Sequence, residues 1–296
     1  MAACPPRPID RPGLGVALML GFCITAPMSD GLSKIAAGTF PVMQLVAIRF
    51  AVQVAVLAPV VMLSARGFAM TGRGWALTAA RAALQVAGIW LMVTGLTYLP
   101  LADAIAIAFV MPFILLLLGH FVMGEVVGPR RLIACVAGFC GTLMVMQPGF
   151  AAVGWPVLYP LAVAFVFAAF MLITRALSRE AEAVAMQANS GLIALAILAL
   201  GYLSLDAPLF ALRPLGAHWP LLAAMGLLGT VGHLMMTWSL AHAPASTLAP
   251  MQYLEIPVAA AIGLALFGDW PDGLAQAGIA VTVATGLYIL WREARA

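Results

Sequence analysis

Charge is what this sequence has least of. Asp, Glu, Lys and Arg make up 8% of its 296 residues, against about 25% in a soluble domain, so the chain cannot coat a water-facing surface. Lysine is almost missing. Lys34 is the only one, which excludes a Walker-type phosphate loop, because that motif needs a Gly-Lys pair. Cysteine is scarce and badly spaced for chemistry: Cys4, Cys23, Cys135 and Cys140 form neither CxxC nor CxxH. Cys135 and Cys140 stand about 140° apart around a helix, so the four thiols read as apolar filler and not as disulfides or metal ligands. There is no HExxH, no paired aspartate set and no Ser–His set to equip an intramembrane enzyme. Rings of like charge or a filter-like repeat, which a passive channel needs, are missing too. Fourteen basic residues against eleven acidic is too small and too dispersed an excess to address nucleic acid. No small-residue cleavage site follows the first apolar run, and Asp30 and Lys34 come directly after it, so that run is read as a retained span.

What the sequence has in abundance is apolar length. It is 64% hydrophobic, with a mean hydropathy of +1.08. About 20 apolar residues cross a bilayer, and ten such segments can be counted: 14–35, 42–64, 74–96, 101–122, 130–148, 154–175, 184–204, 219–240, 246–267 and 273–291. Turn chemistry separates them, as at Gly38-Thr-Phe-Pro41, Leu99-Pro100, Gly128-Pro129, Ala243-Pro244 and Trp270-Pro271. With the N-terminus in the cytoplasm, Arg7, Arg11, Arg66, Arg73, Arg130, Arg131, Arg175, Arg179, Arg292 and Arg295 all fall inside, and only Lys34 and Arg213 outside. That asymmetry sets the orientation, with both termini cytoplasmic. Trp155, Trp219, Trp270 and Trp291 fall at span ends, as an aromatic belt requires.

One stretch is written twice. Gly88, Met92, Leu96, Pro100, Gly119 and Gly124 recur 144 residues later as Gly232, Met236, Leu240, Pro244, Gly263 and Gly268, and Glu125 recurs as Asp269. A fixed offset near half the chain length points to internal duplication. Five spans per copy is an odd number, so the second copy enters the membrane upside down. Inverted repeats of this kind are a transporter architecture, with the substrate site near the midplane where the repeats meet. The fold class expected is therefore all-α integral membrane: ten transmembrane helices as two inverted five-helix repeats around a central cavity. The expected divisions are an N-terminal tail (1–13), repeats at 14–148 and 149–291, and a C-terminal tail (292–296).

Charged and polar residues inside spans are costly and tend to face the interior. Glu255 stands nine residues into the ninth segment, about 14 Å along a helix and near the middle of a ~30 Å core. In a continuous helix Thr247, Met251 and Glu255 share its face, with Gln252 beside them, and Pro257 loosens the helix just beyond. Arg49 with Gln53 and Arg81 with Gln85 are i, i+4 pairs whose fork and amide suit a carboxylate or a polar heterocycle. The plain alternative is that these arginines snorkel or pair with Glu255 or Asp30. His233 and Thr237 form another i, i+4 pair, a proton relay or a packing contact. Trp90 and Trp238 can flank a flat ligand, and Met111 faces the same space. Asp30 and Lys34 are expected to pair at the outer end of the first span, and Asp103 to suit the helix dipole in the first turn of the fourth. Gly226, Gly229 and Gly232 form a small-residue face for close helix contact.

At this point the run Arg81…Leu96-Thr-Tyr98-Leu-Pro100-Leu-Ala-Asp103, then Met111-Pro112 and Gly124-Glu125, resembles EamA-type proteins of the drug/metabolite transporter superfamily. The opening Asp30-Gly-Leu-Ser-Lys34 and the ending Phe267-Gly268-Asp269 are similar to that family as well, and the resemblance covers essentially the whole chain. In one departure, Ile256 separates Glu255 from Pro257, where many relatives have Glu directly before Pro. The resemblance implies secondary transport of a small amphipathic metabolite (amino acid, vitamin, nucleobase-like or drug-like) across a bacterial inner membrane by alternating access. Export or exchange is expected, with import of the riboflavin or S-adenosylmethionine type as the alternative. It also implies a cavity lined by the first, third, fourth, sixth, eighth and ninth spans. The partners expected are that substrate, the lipid bilayer and protons as candidate coupling ion, with no cofactor, metal or nucleic acid, in a monomer or homodimer. The residues expected to bind substrate are Glu255, Arg49, Gln53, Arg81, Gln85, Trp90, Met111, Gln252, Tyr253, His233 and Trp238.

Overall fold

A computed structural model describes residues 11–64, 68, 70–124, 128–178, 181–204, 211–270 and 273–293, among which there is no strand. In order the helices are α1 (Pro12–Ala37), α2 (Val42–Met62), α3 (Gly72–Leu96), α4 (Leu101–Ala108), α5 (Met111–Met123), α6 (Pro129–Val153), α7 (Leu158–Leu177), α8 (Ala183–Ser204), α9 (Trp219–His242), α10 (Ala245–Leu248), α11 (Glu255–Phe267) and α12 (Gly273–Glu293). Among the described residues, seven stretches are long and apolar enough to cross a membrane, with α4 and α5 taken together as one. Three shorter apolar helices accompany them, at Leu132–Met144, Met251–Phe267 and Gly273–Tyr288. This is an all-helical membrane protein. Trp155, Trp219, Trp270 and Trp291 are exposed at helix ends.

Two segments expected to be continuous, 101–122 and 246–267, are interrupted, and proline explains where. Pro112 is the second residue of α5 and Pro257 the third of α11. A proline has no amide to donate and clashes with the carbonyl four residues back, so it is tolerated in a helix's first turn and resisted inside. The chain meets that demand by restarting the helix just before each proline. In the second case a 3₁₀ stretch, Ala249–Leu254, carries it from α10 to α11. Two expectations are corrected by this. Pro257 does not loosen the helix beyond Glu255; the break lies before Glu255. Thr247, Met251 and Glu255 do not follow an α-helical i, i+4 face either, because a 3₁₀ stretch turns about 120° per residue and not about 100°.

The repeated residues do repeated jobs. Pro100 and Pro244 stand at the N-caps of α4 and α10 in the same extended conformation, φ/ψ −54/150 and −61/146. Gly124 and Gly268 end α5 and α11 with φ of 67° and 72°, the left-handed region where a side chain is strained. Each glycine amide turns back to the same pair of carbonyls: Gly119 and His120 in one copy, Gly263 and Leu264 in the other. Packing is paired in the same sense. α1 lies along α9 as α3 lies along α7, α2 packs on α8, and α6 packs on α12.

The small-residue face on α9 is where α1 and α2 come closest. A Cβ added at Gly226, Gly229 or Gly232 would stand 2.7 Å from Val52, 3.0 Å from the Arg49 guanidinium or 2.7 Å from the Thr25 hydroxyl. Cys23 and Cys135 are buried free thiols and Cys140 is an exposed one, as their angular separation implied. Asp103 lies in the first turn of α4. Cys4, Glu125, Arg7, Arg66, Arg179 and Arg295 lie outside the described residues.

Gly229→Val is expected to destabilise the protein by about 1–3 kcal/mol, the usual cost of overpacking, because the new side chain must displace Arg49. Gly72→Ala, where nothing lies within 4 Å, should be neutral or slightly stabilising. Thermal melting of the purified protein in detergent checks both. Equal melting of Gly229→Val and wild type would show that this contact is not tight.

Candidate functional site

Hairpin geometry brings the first two charges together. α1 and α2 are joined by a turn at 38–41, and Asp30 and Arg49 stand nearly equal distances before and after it, so they reach the same depth. Arg49 Nη1 lies 3.2 Å from Asp30 Oδ1 and donates to Ser33 Oγ at 3.4 Å. Arg49 is 6% exposed. The expected Asp30–Lys34 pair therefore does not form. Lys34 Nζ donates to the Leu99 carbonyl at 2.8 Å and sits 4.9 Å above the ring of Phe267. A guanidinium buried that deeply needs a carboxylate more than an ammonium one turn nearer the helix end does.

Arg81 is buried completely and satisfied differently. Its Nε donates to Thr174 Oγ1 (2.8 Å) and its Nη1 to Ser190 Oγ (2.6 Å). Its Nη2 donates to Gln187 Oε1 (2.6 Å) and Thr237 Oγ1 (3.2 Å), and the guanidinium stacks 4.5 Å over Phe170. Thr174 and Thr237 spend their own protons on the carbonyls of Phe170 and His233, which leaves their lone pairs for the arginine. The His233–Thr237 spacing is thus a hydroxyl-to-backbone bond. Gln187 also exchanges hydrogen bonds with Gln53: Gln53 Nε2 donates to the Gln187 carbonyl at 2.7 Å and Gln187 Nε2 to Gln53 Oε1 at 3.3 Å. Nearby, Arg175 and Ser178 donate to the Leu240 carbonyl.

Above this cage is a cavity with an empty volume of about 690 Å³, its open margin included. Its wall takes Phe22, Ala26 and Asp30 from α1, Arg49 from α2, and Leu84, Gln85, Gly88, Ile89 and Met92 from α3. Ala108, Phe109 and Met111 come from the α4–α5 break, Val163 and Phe167 from α7, His233 from α9, and Glu255 from the start of α11. On α3 the cage residue precedes the wall residues; on α7 and α9, which run the other way, it follows them. The Arg81 cage therefore floors the cavity at the end of the bundle where α3 begins.

Of the residues predicted to bind, the structure places Glu255, Arg49, Gln85, Met111 and His233 on one wall. The others stand elsewhere. Arg81 and Gln53 are consumed in the cage. Gln252 is buried with Nε2 directed at the sulfurs of Met171 (3.2 Å) and Met19 (3.7 Å). Tyr253 donates its hydroxyl to the Cys135 carbonyl at 3.2 Å, its ring filling the space left by Gly138. Trp90 is half-buried, edge-on to Tyr159. The Trp238 carbonyl lies 2.7 Å from His242 Nδ1, and its ring is not on the wall. For Gln252 and Tyr253 the 3₁₀ stretch is the reason, since it rotates them away from Glu255. The rings of Phe22, Phe109 and Phe167 were not expected on the wall, nor was Asp30, although its pairing with Arg49 is the alternative that the sequence offered. The symmetric placing of Asp30 and Arg49 about the 38–41 turn was the available signal for Asp30. Apolar rings in an apolar span carry none.

A model of the EamA-like transporter family matches the chain twice, over residues 13–147 and 154–291. A riboflavin transporter of Rhizobium johnstonii is 33% identical over 203 residues, a match spanning 68% of this chain and 65% of that protein. An S-adenosylmethionine uptake transporter of Rickettsia felis is 25% identical over 202 residues, 68% of this chain and 67% of that one. The chain thus spans just under two thirds of the riboflavin transporter's length. A solved crystal structure superposes with a TM-score of 0.70 at 20% identity, covering 93% of this chain and 95% of its own, a likeness of fold.

Arg81→Ala should cost at least about 3 kcal/mol, because it leaves a void and strips four buried acceptors of their donor. Arg81→Lys should recover less than half of that, since an ammonium cannot reach the fork's partners together. Melting of the three proteins in one detergent decides, and a Lys variant as stable as wild type would mean that only charge matters there.

Proposed function

Because this chain belongs to the EamA-like transporter family, we propose that it is a secondary carrier moving a small amphipathic organic metabolite across the bilayer by alternating access through the cavity above the Arg81 cage. The architecture proposed with it is ten spans in two inverted repeats, 14–148 and 149–291, with both termini on the cytoplasmic side of a bacterial inner membrane. Met111 and Glu255 carry this reading. They stand 144 residues apart, each at a restarted helix, and both line the same cavity. A site at the meeting of two interrupted helices from inverted repeats is the usual carrier arrangement. The matching proline caps, the matching glycine C-caps and the twofold match of the family model give it independent support.

The geometry supplies the parts of a carrier cycle. The cage ties α3 to α7, α8 and α9 below the cavity, so it is the closed side. Opening it means withdrawing Arg81 from four acceptors at once, a step with two discrete states and nothing stable between. Glu255 and His233 are the titratable wall residues not engaged in an ion pair, and they are the places where a coupling proton would act. For direction, the relatives named as S-adenosylmethionine uptake transporters favour import over the export or exchange expected from sequence.

Counterflow in proteoliposomes tests the proposal. Labelled riboflavin, S-adenosylmethionine or an amino acid should accumulate transiently against the same unlabelled compound trapped inside. Simple equilibration with every member of the panel would mean that the chain is not this kind of carrier. Glu255→Gln should cut the rate at least about tenfold, a loss of ~1.4 kcal/mol of transition-state stabilisation, and flatten its pH dependence. An unchanged rate and profile would remove Glu255 from the mechanism.

A further inference from the structure

The cavity wall has more hydrogen-bonding capacity than the protein uses. Gln85 is 3% exposed, and neither its Oε1 nor its Nε2 has a partner. His233 Nδ1 is buried and unbonded. The Glu255 carboxyl has no ion pair or hydrogen bond among the described residues. All three groups are on the wall of one cavity, and a buried polar group left unmet costs about 1–3 kcal/mol.

Cationic capacity, by contrast, is spent. Among the described residues Arg49 is the only Lys or Arg on the wall, and Asp30 and Ser33 hold it. Arg81 is enclosed below. At the helix restarts, the amide of Glu255 is bonded to the Gln252 carbonyl and that of Ile114 to the Val110 carbonyl, so neither is free for an anion. An entering anion would meet the Glu255 carboxyl with no free positive partner. An uncharged or singly cationic ring would meet the rings of Phe22 and Phe167, stacked at 6.1 Å between centroids.

A glutamine amide sets a donor and an acceptor side by side. Its complement is a ring edge carrying N–H beside C=O, or a ring nitrogen beside an amino group, the geometry by which Asn and Gln read adenine. Resting on the carrier reading above, we infer that Gln85 determines specificity by pairing with the lactam, imide or amidine edge of a planar nitrogen heterocycle laid against Phe22 and Phe167. Glu255 is the charge filter. It admits forms of that ring that are uncharged or carry a net positive charge, and turns away net anions such as phosphate esters.

The purified full-length protein is tested with three flavins: riboflavin, its 3-methyl derivative with the imide edge blocked, and its 5′-phosphate. Riboflavin should bind. Blocking the edge should weaken binding at least about tenfold, and the phosphate at least about a hundredfold. Gln85→Leu should bind riboflavin and the methylated ring about equally, and Glu255→Gln should narrow the penalty of the phosphate at least about tenfold. The same series on adenosine, N6,N6-dimethyladenosine and adenosine monophosphate covers the amidine edge. In each series the three ligands test wild type alone, so a misfolded variant does not protect the inference. It is overturned if the phosphate ester or the edge-blocked ring binds as well as its parent, if Gln85→Leu keeps the discrimination, or if neither parent ring binds. Counterflow separates the two readings. Transport of an aliphatic amino acid without heterocycle binding sinks this inference and leaves the carrier, whereas no counterflow at all sinks the carrier.

Discussion

The guanidinium of Arg81 lies at the meeting of four helices with no carboxylate of the described residues against it. In an apolar surrounding every polar group has to be answered by the protein itself, and a bare cation is the most demanding of them. Here the answer is four neutral acceptors and one aromatic face, drawn from α7, α8 and α9. Such a cage is only as good as its completeness, because each acceptor alone is weak and the fork needs them in register. The positions of α3, α7, α8 and α9 at this end of the bundle are therefore mutually dependent.

Proline sets the second constraint. Pro112 and Pro257 each force a helix to begin again, and both restarts lie at the cavity wall. In both copies a proline opens the segment and a left-handed glycine closes it. What differs is the residue exposed at the restart: an apolar Met111 in one copy and a carboxylic Glu255 in the other. Two copies of one backbone device thus bring different side chains to one cavity wall.

Charge within the cavity follows the same economy. Asp30 and Arg49 neutralise each other, supported by Ser33 and by the room that Gly229 leaves for the guanidinium. A buried pair of this kind adds little net stability, but it fixes α1 against α2 and removes the wall's one arginine from competition for ligand. What remains is a carboxyl, an amide and an imidazole beside stacked rings.

Much of this was decided by order along the chain. Low charge and long apolar runs determined a helical membrane protein, because a continuous run of about 20 apolar residues answers its own backbone in lipid as a helix, whereas a barrel strand is short and alternates. The spacing of Pro100, Gly119 and Gly124 and their echoes determined that two stretches would be built alike. Counting residues at 1.5 Å each placed Glu255 near the middle of its segment. What counting could not decide was pairing. Asp30 took Arg49 and not Lys34 four residues away, Arg81 took hydroxyls from three other helices, and Gln53 went with it. Gln252 and Tyr253 were turned from the cavity by a 3₁₀ stretch that looks like α-helix in sequence. Depth is a property of one helix and can be read from its own residues; a partner is chosen where faces of different helices meet, and those faces are set only when the whole bundle is packed.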